Sequence, residues 1–170
     1  MQNSRTSEED FLPKSKKLDP LLVDTTYILP LARVQVDTDL LFAIAENKTK
    51  VKMDELAISL ISIFELQAKC IKLGIPAKFV NESIQAIVNN FEIKTFSDPD
   101  IVEFSTEIMK ETLMGDYIDC LIVATAAACE EKLLTEDSKI WKYAKAIRRN
   151  YGVELIRYRD VLTSVSKESV

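Results

Sequence analysis

A chain of 170 residues, 47% apolar and 29% charged, can bury the core of one domain, and its 3 glycines and 5 prolines argue against long low-complexity segments. The absence of histidine excludes imidazole acid–base catalysis and imidazole metal sites, leaving carboxylates as the main catalytic groups. A net charge of −5 disfavours whole-surface attraction to nucleic acid, but it counts acids that bound divalent cations would offset, so its sign decides little.

Residues 1–19 mix charge with Ser, Asn and Pro and read as a flexible lead-in without the apolar run of a signal peptide. Leu21-Leu22-Val23-Asp24 reads as a buried strand ending in a carboxylate. Thr25 or Thr26 can cap a helix from Tyr27 to about Val34 that Pro30 limits or bends, and Asp37 or Thr38 starts the next, with Leu40, Leu41, Ile44 and Ala45 along one side. A second strand is expected over Ile58–Ile63, followed by a helix carrying Glu65, Ala68, Lys69 and Lys72 that stops at Gly74.

Pro76–Asn89 is amphipathic and Phe91–Phe96 alternates as a short strand. Ser97-Asp98-Pro99 starts a helix running to Met114, and Gly115 breaks it. Asp116 opens a helix to Cys129 that is apolar almost all round and hence buried. Lys132–Thr135 and Val153–Ile156 read as strands, Lys139–Arg149 as a helix between them, and Asp160 as the cap of a short closing helix. Strands alternating with helices predict an α/β fold: a three-layer α/β/α sandwich on a mostly parallel sheet of four or five strands, one domain over 20–165 with a tail at 166–170.

Cys70, Cys120 and Cys129 are odd in number, widely spaced and set among apolar residues, as suits free thiols in a reducing cytosol rather than a zinc site or disulfide framework. The longest apolar stretch, Tyr117–Cys129, contains Asp119 and is too short to span a bilayer. The expectation is a soluble cytoplasmic protein without a membrane partner.

Acids fall at informative places. Asp24 ends a strand, Glu65 follows the apolar run Ile61–Phe64, Asp119 lies among Tyr117, Ile118, Leu121 and Ile122, and Asp137 comes just after Leu133-Leu134-Thr135. An ionised carboxylate in an apolar segment is costly unless paired or metal-bound. Acids gathered together repel, which raises pKa values, and divalent cations relieve the repulsion; oxygen-only ligands suit Mg2+ or Mn2+. Each also has a plainer reading: Asp24, Asp116 and Asp137 are placed to cap helices, and Asp119 to sit in a first turn. Glu65 is hardest to explain as a cap.

Leu22-Val23-Asp24-Thr25-Thr26, Ile63-Phe64-Glu65-Leu66, Asp119-Cys120-Leu121-Ile122-Val123-Ala124-Thr125-Ala126 and Leu134-Thr135-Glu136-Asp137, in that order, resemble the motifs of PIN-domain ribonucleases, over essentially Leu21–Leu162. The resemblance implies RNA cleavage dependent on Mg2+ or Mn2+, with Asp24, Glu65, Asp119 and Asp137 as the metal-binding and catalytic acids. Asp116 would join them or remain a cap, and Thr25 or Thr135 would line the site. Many relatives are toxins of VapBC toxin–antitoxin pairs, which implies RNA as substrate, a small antitoxin as partner and a homodimer.

The chain departs from compact toxins in its extra residues before the first strand. Lys69, Lys72, Arg148 and Arg149 are candidate substrate contacts, each also readable as a solvated helix face, and Tyr27 or Trp141 could stack on a base. Two rivals remain. One is a catalytically inactive PIN-like module that binds RNA or protein; the other is an aspartyl-phosphate enzyme with Asp24 as nucleophile, weakened by Thr26 where a second acid is usual.

Overall fold

Leu21, Leu22 and Val23 are buried on both sides of an extended segment, the pattern of a central strand in a parallel sheet. In a computed structural model, which describes residues 20–112 and 114–163, that segment is β1 (Leu21–Val23). The lead-in expected over 1–19 and the tail over 166–170 lie outside the described residues. With β2 (Leu56–Ser59), β3 (Glu92–Lys94), β4 (Lys132–Leu134) and β5 (Leu155–Ile156), it forms one all-parallel sheet in the order β3-β2-β1-β4-β5.

Side-chain alternation sorts the core into two layers. Leu21, Val23, Leu56, Ile58 and Leu134 face one cluster, closed by a 3-10 segment (Thr25–Ala32), α1 (Leu40–Ala45), α2 (Leu60–Lys72) and α3 (Ala77–Asn90). Leu22, Ala57 and Leu133 face the other, closed by α4 (Pro99–Thr112), α5 (Tyr117–Ala128), α6 (Ser138–Lys142) and α7 (Ala144–Tyr151). A last turn, α8 (Tyr158–Val161), returns to the first face. The expected three-layer α/β/α sandwich is the observed one. Among the described residues no helix is long and apolar enough to cross a membrane, and the three cysteines are free thiols.

Several boundaries differ from expectation for local reasons. The second strand ends at Ser59 rather than Ile63, because the Ser59 hydroxyl accepts the Ile61 N–H and caps α2 there. Ile63, Leu66 and Cys70 then bury one helical stripe in the first cluster while Ile61 packs into the second, so packing overrides the β-preference of the run. The segment after Thr25 is 3-10, opened by Tyr27 N–H donating to the Asp24 carbonyl at 3.1 Å and closed by Arg33 in the left-handed region. Asp39, not Asp37 or Thr38, caps α1. The helix expected over Lys139–Arg149 breaks at Tyr143 into α6 and α7, and Gly152, at φ 73°, ends the second. Asp160 lies inside α8 and accepts the Arg157 N–H, closing the turn from its third position.

The strand order has a functional consequence. The chain winds outward from β1 to β3 on one side, then outward through β4 and β5 on the other, so β1 and β4 flank the switch point. The crevice outside the carboxyl ends of strands at such a point is the usual ligand site of an open α/β sheet.

Candidate active site at the switch point of the sheet

Asp24 stands one residue beyond the carboxyl end of β1, 6% exposed, with its N–H donating to the Leu134 carbonyl of β4 at 3.0 Å. One carboxylate oxygen accepts the Thr25 N–H at 2.6 Å and the other accepts the Thr135 hydroxyl at 2.7 Å. Burial raises the Asp24 pKa above the usual carboxylate range; the Thr135 hydrogen bond opposes that rise, and the charge of Glu65 adds to it. Thr135 also accepts the Asp137 N–H at 3.0 Å, so one hydroxyl ties the acid after β1 to the acid after β4.

Glu65 projects from the second turn of α2. It accepts the Thr25 hydroxyl on one oxygen and meets the Lys69 ammonium at 2.8 Å on the other. Asp137 caps α6, accepting the Lys139 and Ile140 N–H groups on one oxygen at 2.6 and 3.3 Å. Asp116 caps α5 through the Ile118 N–H at 3.0 Å.

Asp119, in the first turn of α5, is 8% exposed. Its pKa is pushed up to about 7, first by burial and then by the charges of Asp116, Asp137, Asp24 and Glu65, in that order. All five acids singled out in the sequence therefore act on one neighbourhood. They do not close around a common point, since among the described residues no three His, Cys, Asp or Glu side chains stand at metal-holding spacing. The donor chemistry nevertheless suits a hard divalent cation: oxygen ligands, mutual repulsion, and at Asp119 a buried carboxyl raised by the acids around it.

The remaining sequence candidates separate. Lys69 is at the cluster, on Glu65, while Lys72 is exposed one turn further on. Arg148 and Arg149 end α7, which leads back into β5, so they belong at the opposite edge of the sheet. Tyr27 is fully buried and cannot stack on a base; its hydroxyl donates to Glu136 at 3.1 Å. Trp141 is half-buried, its indole N–H donating to the Thr135 carbonyl at 2.8 Å.

Two residues escaped the sequence reading. Glu136 accepts from Tyr27, from the Tyr158 N–H at 2.7 Å and from Arg157 at 3.3 Å, and Arg157 lies 4.2 Å over the Trp141 ring. Glu136 was visible only as one of a pair of acids after β4, and Arg157 only as the first residue beyond β5.

The sequence pattern of the PIN domain family matches residues 21–146. Among solved structures, the chain is similar to one of VapBC2 from Rickettsia felis bound to a DNA fragment from its promoter, at 21% identity and TM-score 0.54, covering 81% of this chain and 97% of that one. A toxin–antitoxin complex from Klebsiella pneumoniae gives 24% and 0.52, covering 70% and 88%. VapBC-5 from Mycobacterium tuberculosis gives 15% and 0.53, covering 82% and 98%. At such identities these likenesses speak to the fold alone. No curated protein compared with the chain matches it. Because the matched pattern covers well over half of the sequence and the sheet carries its acids at the carboxyl edge, the chain belongs to the PIN domain family, whose members are generally nucleases.

Proposed function

We propose that the protein is a divalent-metal-dependent endoribonuclease, hydrolysing phosphodiester bonds of RNA at the carboxyl edge of β1 and β4. The observation that carries this reading is Asp119, buried, raised to about 7 and surrounded by the charges of Asp116, Asp137, Asp24 and Glu65. Such a group is at ease only when protonated or beside a cation.

Asp24, Glu65, Asp119 and Asp137 would hold Mg2+ or Mn2+, with Asp116 adding a charge from the cap of α5. Bound there, the metal supplies a nucleophilic water and a positive clamp on the phosphoryl group. The chain's own residues do the orienting. Thr135 fixes the rotamer of Asp24 and the backbone at Asp137, and Thr25 holds one oxygen of Glu65 while Lys69 holds the other. Asp119, with its pKa lifted to about 7, would have to be ionised to hold the cation.

A small antitoxin as partner and a homodimer complete the proposal, supported by the toxin–antitoxin complexes among the similar structures and by exposed Phe64 and Ile71 on α2, Leu73 at its end and Val88 on α3. A second reading, an RNA- or protein-binding module without catalysis, draws on Glu65 being engaged by Lys69 and on one Asp137 oxygen serving as a helix cap. Incubation with a mixed RNA pool decides between them. Fragments that require Mn2+ or Mg2+, and disappear in Asp119→Asn, are the expected result; RNA recovered intact from the wild-type protein with metal present overturns the nuclease reading.

A further inference from the structure

Arg157 is the first residue beyond β5, as Asp24 is beyond β1 and Thr135 beyond β4, so it stands on the same edge of the sheet as the acids. Its guanidinium carbon lies over the Trp141 ring, 4.2 Å from the centroid, and Nη1 meets Glu136 at 3.3 Å. Both supports are themselves fixed. Glu136 accepts the Tyr27 hydroxyl and the Tyr158 N–H, and the Trp141 indole donates to the Thr135 carbonyl, in the residue whose hydroxyl orients Asp24.

The side chain is about one-third exposed, at 34%, and among the described residues it engages Glu136 through a single nitrogen, so the guanidinium keeps donors on the sheet edge that carries the acids. A surface ion pair formed only for stability would gain little and would need neither the stack nor the buried tyrosine behind it. A guanidinium held in this way has already lost its rotamer freedom and retains donors, which is the state that recognises a phosphate oxygen at least entropic cost.

We infer that Arg157, held by Glu136 and Trp141, binds a backbone phosphate of single-stranded RNA next to the linkage placed at the acids. This rests on the ribonuclease reading above. Lys142, whose ammonium lies over Tyr143 on the neighbouring α6, would extend the same basic margin.

The test uses the full chain carrying Asp119→Asn, so that RNA stays uncut, and fluorescence anisotropy of labelled RNA oligonucleotides of several sequences over a salt series. Adding Arg157→Gln should weaken binding about tenfold for every sequence and make the log–log salt slope shallower by about 0.7, the value for one phosphate contact on a single strand. Arg157→Lys, which keeps the charge and the pairing with Glu136 but loses the fork, should bind between the two with the parent's slope. Trp141 is the only tryptophan, so its emission reports whether the stack is intact in each variant.

Equal affinity and slope in Arg157→Gln, with the parent binding RNA, overturn this inference and leave the ribonuclease reading standing. A loss confined to one base identity also overturns it, since a phosphate carries no sequence. A parent that binds no RNA overturns the nuclease reading and this inference together.

Discussion

Replacing Asp119 by Asn should make the metal-free protein more stable at neutral pH, against the usual effect of altering a buried group. The ordinary aspartate pKa is 3.8, and burial with the surrounding acids lifts that of Asp119 to about 7. Between those values the folded chain holds a proton that the unfolded chain has released. Stability supplied by the protonated carboxyl is therefore complete below about pH 4, drains away as pH rises, and is gone above about pH 7. At ~1.4 kcal/mol per pKa unit, the loss has a ceiling of about 4 kcal/mol, less whatever relaxation and water entry recover.

Asparagine keeps the shape and cannot ionise. Urea unfolding in EDTA, measured from about pH 4 to about pH 9 on both proteins, should give curves that meet in acid and part towards neutrality, with Asp119→Asn ahead by about 1–4 kcal/mol. Mn2+ should reverse the order. Wild-type protein gains roughly 2.7 kcal/mol at a hundred times its dissociation constant, while the variant, short of a ligand, gains less. Parallel pH curves in EDTA would refute the account of Asp119, and an equal gain from Mn2+ in both proteins would refute its place among the ligands.

Asp24→Asn should abolish cleavage of the RNA pool while the circular dichroism spectrum stays native, and full residual activity would remove Asp24 from the site. Thr135→Val leaves an Asp24 oxygen and the Asp137 N–H without their shared partner; urea unfolding should show a loss of about 1–3 kcal/mol. Lys94→Met strands Glu131, whose side chain is 1% exposed and pairs with Lys94 at 2.7 Å; a loss of about 3–5 kcal/mol is expected in the same assay, with RNA cleavage retained at permissive temperature.

The layers of the fold were legible where a short apolar strand is followed by a helix with a readable cap, as at β2 and β4. Leu21-Leu22-Val23, Leu133-Leu134 and the apolar face of α5 leave few alternatives. Strand ends were less legible where β-branched residues cross a boundary: Ile61 and Ile63 favour strand by propensity, yet Ser59 accepts the Ile61 N–H and the chain is helical from Leu60 on. The break at Tyr143 left no sign in the periodicity, since Ile140 and Ile147 are both buried and seven apart, the spacing of one uninterrupted helix. For the acids, sequence position gave the edge on which they stand but not their hydrogen bonds. That Asp137 spends one oxygen on two backbone amides, and Glu65 one on Lys69, depends on side-chain rotamers that no spacing specifies.

Those engagements bear on how the site would work. Asp24, Glu65 and Asp137 each have oxygens engaged by donors within the protein, which at Asp24 opposes the rise that burial gives its pKa without cancelling it. Asp119 has its pKa lifted to about 7 by burial first and then by the charges of the other four acids. The strain of assembling an acidic pocket therefore falls on two carboxyls, Asp24 and Asp119, both raised by burial and by neighbouring charge. To hold a cation the raised carboxyls would have to be ionised and the Lys69 contact on Glu65 loosened. It follows that metal uptake should steepen as pH rises through about 7, the point at which Asp119 gives up its proton unaided.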